Sequence, residues 1–221
     1  MALPSLLPRE RRERARDSPI LGQVRVLHEV SEDEMILAFV RAEASSPTFR
    51  DAALRGLGGD EGPVERGRLD VPADNEARRE ALSRYRGYGQ DALLFPGFPT
   101  ADVEWFRVAL TREDIAGLLY ARWESWIELS AGSRLVRDGA ANVGKVHPAD
   151  DPSAGIAATE QAIRDGKPLD ELIVVAERLH SQHVLVEGHK RATAYARALS
   201  DDAEVEAIAG YSPRITLWQL F

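Results

Sequence analysis

The chain has 221 residues, 44% hydrophobic and 29% charged, with a net charge of −8. That content can bury one substantial core, and the acidic balance argues against a duplex nucleic-acid binder, which carries a basic face. The absence of cysteine excludes disulfides, thiolate metal sites and cysteine nucleophiles within the chain and suits a reducing, cytoplasmic setting. No apolar run approaches the ~18–20 residues that cross a bilayer, so no membrane partner is expected.

The start, Met1 to Pro8, is apolar but short, and its charges follow rather than precede it, unlike a secretory signal. Residues 8–17 hold five arginines interleaved with acids, a pattern read as a solvated tail. Residues 1–30 are therefore expected to form a flexible arm. Ser31 followed by Glu34 is a capping-box signature, and Met35, Ile36, Phe39 and Val40 continue at helical spacing. The Gly-, Pro- and charge-rich stretch 56–73 reads as a long loop, and Asn75 to about Arg86 as a helix. The expectation for 31–100 is a mostly helical region.

Beyond residue 100 the periodicity changes. Val103–Leu110 has the pattern of a strand, Thr111 and Asp114 cap a helix expected to run to about Trp123, and Ser125–Leu129 reads as a second strand. Ser153–Asp165 reads as a helix stopped by Gly166 and Pro168. Strands are expected at Leu172–Val175, His183–Val186 and Val205–Ile208, and a last helical turn at Ser212-Pro213. The expected fold is α/β (α+β), a small mixed sheet with packed helices over 101–221.

The run Val184-Leu-Val-Glu-Gly-His-Lys-Arg-Ala-Thr-Ala194 is a strand, a glycine turn and a helix start crowded with basic side chains. Unpaired N–H groups, the helix dipole and cations then converge, which is how a chain builds an anion pocket. From Ala121 onward there are 11 Lys and Arg against 15 Asp and Glu. A basic turn in an acidic surround suits a small anion better than a polymer.

Together with Leu172–Val175 and the helix before it, this run resembles the ParB/sulfiredoxin-like superfamily over about Trp123 to Gly210, by its strand, Gly-x-x-Arg turn and Arg-x-x-Ala helix start. The resemblance implies that fold and a bound nucleotide, ATP or another nucleoside triphosphate, with Mg²⁺. The ParB branch carries a downstream DNA-binding helix-turn-helix, but about 22 residues follow the motif helix, so none is expected here. The sulfiredoxin branch places a cysteine where this chain has His189. The free serine kinases have an Asp-Gly-His-His-Arg form, close to Glu187-Gly188-His189-Lys190-Arg191. On that resemblance Gly188, His189, Lys190 and Arg191 hold phosphates, and Glu187, as the catalytic carboxylate, helps hold the metal or orients an acceptor hydroxyl. Sulfiredoxins carry a phosphate-binding arginine in the preceding loop, where Arg134 (or Arg137) stands. Those kinases also use a glutamate after the first strand. Glu128 is the nearest counterpart, and the loop Ser130–Arg134 lacks a matching one.

The residues leave two readings open. One is a Mg²⁺-dependent phosphotransferase (a small-molecule kinase acting on an unknown small-molecule acceptor) or a nucleoside triphosphate hydrolase. The other is a non-catalytic nucleotide-sensing or protein-interaction module. Nuclease activity fits the acidic composition poorly. His180 and His183 lack a third ligand, Gly144-Lys145 lacks a P-loop frame, and the four tryptophans are expected in packing.

Overall fold

The computed structural model describes residues 24–221, so the arginine-rich run 8–17 lies outside the described residues. The first element is a strand, β1 (Arg25–Val30), where the end of a flexible arm was expected. It escapes the alternation test because only Val30 is buried, the strand lying at a sheet edge. Helix α1 (Glu32–Ala44) follows, and Ser31 Oγ caps it by accepting from Glu34 N–H at 3.2 Å. The reciprocal half of the expected capping box is missing. The Glu34 carboxylate instead pairs at 2.6 Å with Arg107 in the sheet.

The expected loop 56–73 is interrupted by a short helix. After α2 (Arg50–Gly56) and α3 (Gly62–Glu65), α4 runs from Pro72 to Arg86. Arg78 of α4 is fully buried and donates to the carbonyls of Pro63 and Arg68. One guanidinium thereby satisfies loop backbone that would otherwise face an apolar interior.

Strand β2 (Glu104–Thr111) leads into α5 (Arg112–Gly117) through a complete capping box between Thr111 and Asp114. This helix ends at Gly117, short of Trp123. The chain then turns extended, Leu119 N–H donating to His183 O and Leu119 O accepting from Leu185 N–H. The segment expected as a second strand is helix α6 (Glu124–Leu129). Trp126 and Leu129 are both buried while Glu124 and Glu128 are exposed. That is one-turn spacing; a strand would put Trp126 and Glu128 on the same face.

Helices α7 (Val136–Asn142) and α8 (Ser153–Arg164) precede β3 (Leu172–Ala176) and β4 (Val184–Glu187). Helix α9 (His189–Ala198) and strand β5 (Glu204–Tyr211) follow, β5 extending well beyond the expected Val205–Ile208. A 3-10 turn, Ile215–Leu217, comes after Ser212-Pro213.

The sheet order is β1-β2-β5-β3-β4, with β3 and β5 parallel and the other neighbours antiparallel. The fold class is therefore mixed α/β, as expected. Strand parity divides the core. Trp105, Ile173, Val175, Val184, Val186 and Ile208 face one side, packed with Met35, Phe39 and Leu82 of α1 and α4 and with Trp218. Val108, Leu110, Leu172, Val174, Leu185 and Ala209 face the other, packed with α5–α9. Residues 31–100 are thus one outer layer on the sheet, sharing its core. Gly210 permits this packing, since a Cβ there would lie 2.6 Å from Trp105 Cζ3. No helix among the described residues is long and apolar enough to cross a membrane.

Candidate functional site

Strand β4 delivers Glu187 to the sheet end, and Gly188 reverses the chain at φ +97°. A Cβ at 188 would fall 2.6 Å from Leu172 Cδ2 and 3.2 Å from Arg191 Nη2. Glycine is required by both torsion and space. Helical bonding resumes with Ala192 N–H to Gly188 O at 2.8 Å. The main-chain N–H groups of His189, Lys190 and Arg191 have no acceptor among the described residues.

His189 was expected as a phosphate-binding cation, and the structure corrects this. Its ring stacks against Tyr120, with centroids 6.0 Å apart and planes at 14°, and lies 5.4 Å from the Trp126 ring. Its Nε2 accepts from Ala121 N–H at 3.2 Å, so the neutral ring carries its proton on Nδ1. Burial pushes its pKa down to about 4; Glu187 opposes this, while Arg191 and Arg134 add to it. His189 is a neutral strut between the turn and the Tyr120 segment.

Hydrogen bonds show what the fold brings together. Arg191 pairs with Glu187, His189 accepts from Ala121 N–H and Arg134 donates to the adjoining Tyr120 O, so four of the expected residues converge. Their charges are, however, engaged internally. Arg191 donates through Nη2 to Glu187 at 3.0 Å and to Glu171 O at 3.1 Å, while its buried Nε has no partner. Arg134, at φ +62°, donates to the carbonyls of Tyr120, Phe221 and Leu220. Burial, with Arg122 nearby, lowers its pKa to about 10. It ties three carbonyls together, where a hand on a phosphate was expected. Lys190 leans over α8, against Gly155.

Glu128, expected beside the site at a strand end, is on the exposed face of α6. Among the described residues no side-chain hydrogen bond or ion pair joins it to the turn. Arg137 is also elsewhere, in a cavity at the C-terminal end of α9. Among the described residues no group of three or more His, Asp or Glu side chains is placed to hold a metal ion.

Sequence reasoning missed a second set of polar residues. Glu43 of α1 is 1% exposed and accepts from Nε and Nη2 of Arg86. Burial pushes its pKa up, Arg86 opposes this, and Glu187 adds a further upward push. The Arg86 guanidinium also sits 4.2 Å over the Phe49 ring. Glu43 on the apolar stripe Met35–Val40 was the available signal, since a carboxylate among buried residues demands a partner. Comparison with family models, curated proteins and solved structures gives no match.

Proposed function

We propose that the chain binds a nucleoside phosphate without turning it over, the phosphate resting on the start of α9. The observation that carries this reading is the set of three N–H groups, of His189, Lys190 and Arg191, that have no acceptor among the described residues and are held by a Gly188 torsion that only glycine adopts readily. Main-chain donors at a helix start, aligned with its dipole, suit a phosphate oxygen. The Arg191 guanidinium, whose Nη1 makes no hydrogen bond among the described residues, adds a charged group at the same turn.

Binding without catalysis is favoured over phosphotransfer because phosphoryl transfer depends on positioned charge around the reacting group. Glu128 is exposed on α6, Glu43 is held by Arg86, and His189 is a neutral acceptor already in use. A Mg²⁺ ion carried on the triphosphate would meet Glu187 as the carboxylate beside the turn, already hydrogen-bonded to Arg191.

Calorimetric titration of ATP, ADP and CTP with Mg²⁺, paired with a phosphate-release assay, tests the reading. Saturable binding below about 1 mM, weakened by Arg191→Ala in a variant that keeps its circular dichroism, is expected, with no turnover above background. Failure of all three nucleotides to bind, with Arg191→Ala changing nothing, defeats it. Turnover that Glu187→Gln abolishes would instead make the chain a phosphotransferase or hydrolase.

A further inference from the structure

The C-terminal end of α9 carries a second concentration of positive charge. A solvent-open cavity of about 630 Å³ lies between α5, α7, α8 and α9, walled by Arg112, Arg137, Arg164 and Arg197. In a chain of net charge −8, four guanidiniums around one cavity require an explanation. The acids among them are Glu113, Glu160 and Asp201, and they neutralise the walls incompletely.

Glu160 organises the cluster. It is 6% exposed and accepts from Arg164 at 2.8 Å and from Arg197 with its other oxygen. One buried carboxylate thus holds two guanidiniums side by side. Arg197 is further fixed by donating to Ala140 O at 2.7 Å, and Arg112 by donating to Ala196 O at 3.0 Å. Arg112 also pairs with Asp201, whose side chain is 89% exposed, a screened and weak partner.

These bonds leave donors over. Nη2 of Arg112, Nη2 of Arg197, and Nη1 and Nε of Arg164 make no hydrogen bond among the described residues, and the exposed Arg137 makes none at all. The guanidiniums of Arg112 and Arg197, each fixed by two hydrogen bonds and keeping an unused Nη2, match phosphate oxygens and lose little entropy on binding, and the exposed Arg137 and Arg164 can close on the same anion. Between the arginines the lining is methyl groups, from Ala116, Ala140, Ala141 and Ala196. Among the described residues no aromatic ring lines the cavity to stack on a nucleobase.

We infer that this cavity is a binding site for a compact oligophosphate lacking a base, gripped by Arg112, Arg137, Arg164 and Arg197 and preorganised by Glu160. It is separate from the turn at the other end of α9 and does not depend on nucleotide binding there.

The test is calorimetric titration of inorganic tripolyphosphate into the full chain at about 0.1 M salt, with citrate as the carboxylate comparison. Saturable tripolyphosphate binding is expected, weakened about tenfold or more by Arg137→Ala and again by Arg164→Ala, and weakening as salt rises. Arg137 is exposed and unbonded, so its removal leaves the fold intact, which thermal melting checks. Nucleotide binding at the α9 start should be unchanged in that variant, so the two readings fail separately. No tripolyphosphate binding below about 1 mM overturns the inference. So does binding that neither variant weakens, or citrate binding tighter than tripolyphosphate.

Discussion

Acidification should destabilise this fold through His189 before most of its carboxylates titrate. Burial between Tyr120 and Trp126 holds the His189 pKa at about 4, against about 6.5 in an unfolded chain. The unfolded state therefore binds more protons between those values, and stability falls as pH drops through the unfolded pKa. The loss from about pH 7 to about pH 5 comes to roughly 2 kcal/mol for one such histidine. His183, also pushed down to about 4 by burial, adds a similar amount. Glu43 acts in the opposite sense, its pKa being raised on folding. The structural origin is specific, because protonated Nε2 would set an N–H against the Ala121 N–H it now accepts. Urea unfolding of the wild-type chain and His189→Gln at both pH values isolates the contribution. The variant should be less stable at pH 7 and should lose about 2 kcal/mol less on acidification. Equal pH dependence in the two proteins would refute a buried neutral His189.

Other substitutions probe the surroundings of the turn. Arg86→Ala leaves Glu43 buried without its ion-pair partner and should cost about 3–5 kcal/mol in urea unfolding, with Glu43→Gln costing less. Equal costs would mean that the carboxylate is not charged in the folded chain. Gly188→Ala forces a side chain into left-handed torsion and against Leu172, an expected loss of about 2–3 kcal/mol by the same assay. Gly210→Ala drives a methyl into the Trp105 ring and should cost about 1–3 kcal/mol with a shift in tryptophan emission.

The elements that sequence reading located are those whose signals are local. Thr111 and Asp114 form their cap within a single turn, and β3 is a fully buried apolar run whatever its neighbours. The failures share the opposite property. β1 is recognisable only through its pairing with β2, because Arg25, Val26 and Glu29 face solvent at the sheet edge. Helix α6 has the sequence pattern of a strand because the short apolar run Trp126-Ile127 fits both periods. Burial of Trp126 and Leu129 resolves it only once α7 and α9 are in place. At the turn, the convergence of Glu187, His189, Arg191 and Arg134 was legible, but their electrostatic state was not. His189 is neutral because Tyr120 and Trp126, more than sixty residues earlier, enclose it. Arg134 is engaged because Leu220 and Phe221 return to it. Long-range burial decides charge, and spacing along the chain does not record it.

The account depends most on the three free N–H groups that open α9, and amide-resolved NMR observes them directly. On titration of Mg·ATP into ¹⁵N-labelled chain, the His189, Lys190 and Arg191 amide resonances should shift together and saturate, as their protons gain phosphate acceptors. Saturable shifts elsewhere that leave these three amides unmoved would contradict phosphate binding at the Glu187–Arg191 turn.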